Sequence, residues 1–162
     1  MGQRVYVKGK KTHAKGESFT HDNVGKEKER YHISVDLMSL KTVKDYDMAG
    51  MVGEFYLRVD GPKSLKSRFP FKGVIKLKKE QTFTSKADMN IWSQFKTVKT
   101  GAESFQALTL YLREKDHLKK DQEIAKMEIT IDCPQKTSYI ILEDKDGNTK
   151  AKLRIQSTRT RY

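Results

Sequence analysis

The chain has a single cysteine, Cys133, beside Pro134, so no disulfide can form within it, and a reducing compartment suits it. No apolar run approaches the roughly 20 residues with which a helix crosses a bilayer. The opening MGQRVY lacks the apolar segment of a signal peptide, and Tyr6 stands where a myristoylation pattern needs Ser or Thr. That opening is basic and poor in acids, as transit peptides are, but no cleaved targeting segment is expected. Hydrophobic residues make up only 36% and charged residues 33%, which points to one modest core with solvated extensions. There is no amphipathic helical pattern, no internal repeat and no phosphate-cradling glycine loop with its lysine. His13, His21, His32 and His117 lack the spacing of metal ligands, and Cys133 has no evident base partner. Enzymatic chemistry is therefore not expected.

What is abundant is positive charge. The 162 residues carry a net +12, which favours acidic partners: anionic lipid, nucleic acid or an acidic protein surface. The charge is uneven. Residues 61–100 hold ten Lys or Arg against two acids, residues 150–162 hold five and no acid, and residues 101–149 hold seven against ten. Residues 1–30 are basic, glycine-dotted and without periodicity, which predicts a polar arm that needs something to lie on.

From Tyr31 a period of two sets in. Tyr31, Ile33, Val35 and Leu37 alternate with His32, Ser34 and Asp36. EFYLRV, GVIKLK, IWSQFKTV, FQALTLYLR, KMEITI, TSYIILED and AKLRIQ follow, separated by turn signals. About eight short strands predict an all-β fold, an eight-stranded antiparallel β-sandwich or a barrel. The expected organisation is an arm over 1–30, a sandwich over 31–156 and a basic tail over 157–162. DKDGN, Asp144 to Asn148, has the look of a calcium loop but lacks the closing Glu, so a hairpin turn through Asp146-Gly147 is expected.

The stretch YLREKDHLKKDQEIAKMEITI, from Tyr111 to Ile131, passes from strand through a charged loop back to strand. It resembles the third calcium loop of the C2 domain family, with Glu114 and Asp116 in acidic positions, Gln122 in the third and Ala125 in place of a glycine. DMAGMVGEF resembles the family's first loop through Asp47 and Gly50, with Gly53 where a second Asp belongs. NIWSQF is similar to a third family segment through Asn90 and Trp92. The resemblance runs from Tyr31 to Gln156. It implies a C2-like sandwich whose calcium site is degenerate, with Asp47, Glu114 and Asp116 the acids left at ligand positions. Calcium wants six to eight oxygen ligands, so calcium-independent action and no tightly held cofactor are expected. Acids of the 114–123 loop are balanced by Lys115, Lys119 and Lys120.

The basic stretch PKSLKSRFPFKGVIKLKK offers a lysine-rich face of the kind with which C2 domains meet anionic phosphoinositides. Its candidates are Lys63, Lys66, Arg68, Lys72, Lys76, Lys78 and Lys79, each lysine near an anionic bilayer contributing about 1 kcal/mol. Met48, Met51 and Val52 are candidate loop-tip residues for shallow insertion. A protected edge strand would carry lysines too. The function expected is a non-enzymatic binding or tethering module at an anionic membrane surface or an acidic protein partner. An intracellular, cytoplasmic setting is expected, at a membrane periphery or on the cytoskeleton. The alternative is a structural subunit of a large assembly, microtubule-associated or RNA-containing, held by its basic termini. Nucleic acid binding suits the charge, although no binding motif supports it.

Overall fold

The computed structural model describes residues 3–7, 28–43, 52–64, 66–84 and 89–160, without the side chains of 3–7 and Ser64. Eleven strands form among these residues: β1 (Gln3–Val7), β2 (Lys28–Thr42), β3 (Gly53–Asp60), β4 (Lys66–Phe69), β5 (Ile75–Leu77), β6 (Thr82–Thr84), β7 (Asn90–Lys99), β8 (Phe105–Glu114), β9 (Gln122–Asp132), β10 (Gln135–Glu143) and β11 (Thr149–Thr160). The sole helical element among them is a 3-10 turn at Pro62–Ser64. The first sheet has the order β1-β9-β8-β3-β4, with β5 also on β3. The second has the order β10-β11-β2-β6, with β7 also on β2. Two open edges are thus each shared by two segments. β4 and β5 divide the edge of β3, and β6 and β7 divide that of β2.

All eight strands expected from the alternation are present. β1, β4 and β6 are additional, and each is too short or too polar to show a period. Every pairing is antiparallel except β1 with β9, which is parallel. The stretch read as an arm thus contains a strand, and β2 begins at Lys28. β11 continues through Thr160, so the first residues of the stretch read as a tail are strand, with Ser157 buried.

The two apolar faces meet in one core. Ile33, Val35, Leu37 and Leu40 of β2 pack with Phe55, Leu57 and Val59 of β3, and with Leu108, Leu110 and Leu112 of β8. Leu37 and Leu40 both face inward although their spacing is odd. A bulge at Met38, where Leu37 pairs Leu153 and Ser39 pairs Lys152, shifts the alternation by one residue. The edges shared by two segments are held together across the sandwich. The buried Trp92 of β7 lies on Gly61, so close that a Cβ there would sit 2.9 Å from its Nε1. Beside it Ser67 Oγ donates to Ile91 O at 2.5 Å. The DKDGN stretch is the β10–β11 turn, with Gly147 at φ 70° and its N–H donating to Asp144 O at 3.0 Å.

Candidate anion-binding face

Strand pairing decides which basic side chains share a face. Lys66 lies opposite Asp60, Arg68 opposite Arg58, and Lys76 opposite Glu54. Because Phe55, Leu57 and Val59 point inward, Glu54, Tyr56, Arg58 and Asp60 occupy the outer face of the first sheet. Lys66, Arg68 and Lys76 therefore stand on that face along its edge. Lys63, Lys66, Lys72, Lys76, Lys78 and Lys79 are exposed, and among the described residues none has an ion-pair partner.

The arginines are committed differently. Arg68 Nε donates to Pro70 O at 3.0 Å, and Nη2 donates to Gly73 O. Its guanidinium sits 4.2 Å above the Tyr56 ring. It thereby staples the turn 70–73 onto the sheet, which leaves Phe71 at the tip of that turn 83% exposed. Arg58 lies 4.3 Å over the Tyr111 ring and pairs with Asp60 at 3.0 Å, while Lys126 approaches the same ring at 5.6 Å. Each such contact is worth about 0.5–1 kcal/mol at an exposed site, so these rings hold the cations in place on the face. Beyond them Ala107, Thr109 and Thr130 leave a shallow depression of about 240 Å³, rimmed by Asp60 and Glu128. The small residues make this part of the face concave.

At one end of the face lies the charged loop 115–121, with Asp116 and Asp121 among three lysines. It is folded back onto β3 at three points. Lys115 N–H donates to Glu54 O at 2.8 Å, His117 contacts the Glu54 carboxylate, and Tyr56 Oη donates to Asp121 Oδ2 at 2.6 Å. Asp116 closes the turn by accepting from the N–H groups of Leu118 (2.8 Å) and Lys119 (3.1 Å) on Oδ1. Glu114 continues the inward alternation of Leu110 and Leu112 and is buried. Of the three acids at ligand positions, Glu114 thus points into the sandwich, Asp116 serves its own turn, and Asp47 lies outside the described residues. Among the described residues no three His, Cys, Asp or Glu side chains gather as a metal-binding group. Met48 and Met51 also lie outside them, and Val52 is half-buried.

The Tyr56–Asp121 bond carries a pH signature. The phenol, helped by Asp116 N–H and the nearby Arg113 and Lys115 charges, holds the Asp121 carboxyl below the usual aspartate range. Burial and the same bond push Tyr56 up. A depressed carboxyl stabilises fully above its unfolded value of about 3.9 and loses that contribution as pH falls through the folded value. Tyr56→Phe is expected to return Asp121 toward the ordinary range and to speed amide exchange in 115–121 several-fold. An NMR titration of the Asp121 carboxyl checks this.

Two features of this face were not assigned from the sequence. Leu118 is 94% exposed at the tip of the 115–121 loop, between His117 and Lys119. Its place as the one apolar residue in a charged loop was the available signal. Tyr56 and Tyr111 as supports for arginine leave no local sequence signal. On the opposite side of the molecule, Asp36 of the second sheet accepts from Arg154 Nη2 at 3.1 Å and from Asn90 Nδ2 at 2.9 Å. Nearby Phe95 is flanked by Arg30, 4.0 Å over its ring, and by His32.

No protein-family model and no curated protein matches the sequence. Among solved structures, human GIVD cytosolic phospholipase A2, in complex with methyl gamma-linolenyl fluorophosphonate inhibitor and terbium chloride, aligns with a TM-score of 0.54 at 9% identity. The alignment covers 83% of this chain and 18% of the enzyme, and the part matched is the enzyme's C2 domain. The fold is C2-like. A C2 domain of plant Extended Synaptotagmin 1 aligns at 9% identity and TM-score 0.47, covering 83% of this chain and 97% of that domain. A C2 domain protein from Ramazzottius varieornatus aligns at 14% identity and TM-score 0.41, covering 83% and 93%. The C2-like chain spans under a fifth of the human phospholipase, and what is shared with it is the fold.

Proposed function

We propose that this C2-like domain is a non-enzymatic tethering module that attaches to anionic phospholipid, independently of calcium, through the outer face of its first sheet. The observation that carries the reading is the placement of Lys66 and Lys76 on one outer face, along an edge whose turn carries the exposed Phe71 and Lys72. A lysine cluster supplies attraction of about 1 kcal/mol per residue near an anionic surface, and an exposed ring adds shallow apolar contact. Such attachment is reversible and weakens as salt rises, because the charges are screened within about 8 Å at 0.15 M ionic strength. Leu118, with Lys119 and Lys120, is a second shallow contact at the end of the face.

Co-sedimentation with phosphatidylserine-containing and neutral vesicles, each with calcium and with chelator, tests the reading. Binding to anionic vesicles in both conditions is expected. Binding only with calcium would assign Asp116 and Asp47 to metal and overturn calcium independence. No binding at low salt would favour the role of an assembly subunit engaging an acidic protein or RNA.

A further inference from the structure

Among the described residues the sandwich has four lateral edges, and three of them are blunted. β4 and β5 are interrupted by the turn 70–73 and carry Lys66 and Lys76. At the β6/β7 edge, Ile91 O is taken by Ser67 and Lys96 Nζ turns to Phe105 O at 2.6 Å. β1 is five residues long. Splitting, shortening and lysine are common ways for a sheet to avoid pairing with another chain.

β10 carries Lys136 and a bulge near its start, but from Ser138 to Glu143 it has none of these devices. Past that bulge it runs six residues in regular register with β11, and among the described residues no strand pairs its other edge. Its segment TSYIIL is rich in β-branched and aromatic residues. Its outward side chains Tyr139 and Ile141 are 54% and 44% exposed.

The edge is also complementary to itself. Antiparallel pairing of two copies about Ile140 sets Tyr139 opposite Ile141 of the second copy, and the symmetry makes that pair twice. Aromatic and β-branched residues in opposition form favourable cross-strand pairs. Registers displaced by two residues in either direction break both Tyr–Ile pairs. One sets Tyr139 against itself, and the other sets it against Glu143.

We infer that β10 is a homodimer edge, and that two copies join through antiparallel β10–β10 pairing centred on Ile140 into one continuous sheet. The inference does not depend on what the basic face binds. A dimer would place two such faces on one particle and raise avidity for any extended anionic surface.

Sedimentation velocity across a wide concentration range tests it. A concentration-dependent dimer is expected, and Ile141→Lys is expected to raise its dissociation constant about tenfold or more, by placing lysine on the edge. Ile141 is exposed, so circular dichroism and the unfolding midpoint should not change. The register is tested separately. Oxidising a mixture of Tyr139→Cys and Ile141→Cys chains should yield more covalent dimer than either chain alone. A monomer at every concentration overturns the inference. So does a dimer indifferent to Ile141→Lys that gives no excess of the mixed cross-link.

Discussion

Changing Lys66, Lys72 and Lys76 together to glutamate is expected to abolish sedimentation with anionic vesicles while leaving the fold intact. All three side chains are exposed, and among the described residues none has an ion-pair partner, so little folding energy depends on them. Removing three attractions of about 1 kcal/mol each costs roughly a hundredfold in affinity, and the new negative charges add repulsion of similar size. Arg68 is the wrong residue for this test. Its guanidinium holds the turn 70–73 and covers Tyr56, so its loss would disturb Phe71 as well as the charge. A triple variant that still binds as well as the parent would move attachment away from this face.

Phe55→Ala is expected to give the largest loss of stability, about 3–5 kcal/mol from a fully buried aromatic. Domains of this kind are commonly stable by about 5–15 kcal/mol, so a large share of the total would go. The ring fills the space over Gly53, where an added Cβ would lie 2.7 Å from it, so backbone and ring are already in close contact. The cavity therefore cannot close by a small shift of a neighbouring side chain. Urea denaturation checks the prediction through a lower midpoint with an unchanged slope. A loss under about 1 kcal/mol would mean that the ring is not packed between the sheets as described.

Where the hydrophobic alternation was unbroken, the sequence could be read directly. Tyr31, Ile33, Val35 and Leu37 face inward, as do Ala151, Leu153 and Ile155 across the sheet. It failed where the chain departs from a regular pleat. The bulge at Met38 hides the inward turn of Leu40, and β4 and β6 are three or four residues of mostly polar sequence. The common face of Lys66 and Lys76 depends on two separate strands pairing with the same neighbour, which local spacing does not encode. The hydrogen bond from Tyr56 to Asp121 joins residues 65 apart, and only the folded chain brings them together. The acids of the loop were legible as acids, but their tasks were not. Asp116 and Asp121 are occupied in closing and pinning the turn, and Glu114 is buried.

The most direct measurement is an NMR map of amide shifts as a soluble short-chain phosphatidylserine is added in the presence of chelator. The account predicts perturbations at Lys66, Phe71, Lys72 and Lys76, extending to Leu118. Perturbations confined to the opposite sheet, around Arg30, Phe95 and Lys152, would contradict it.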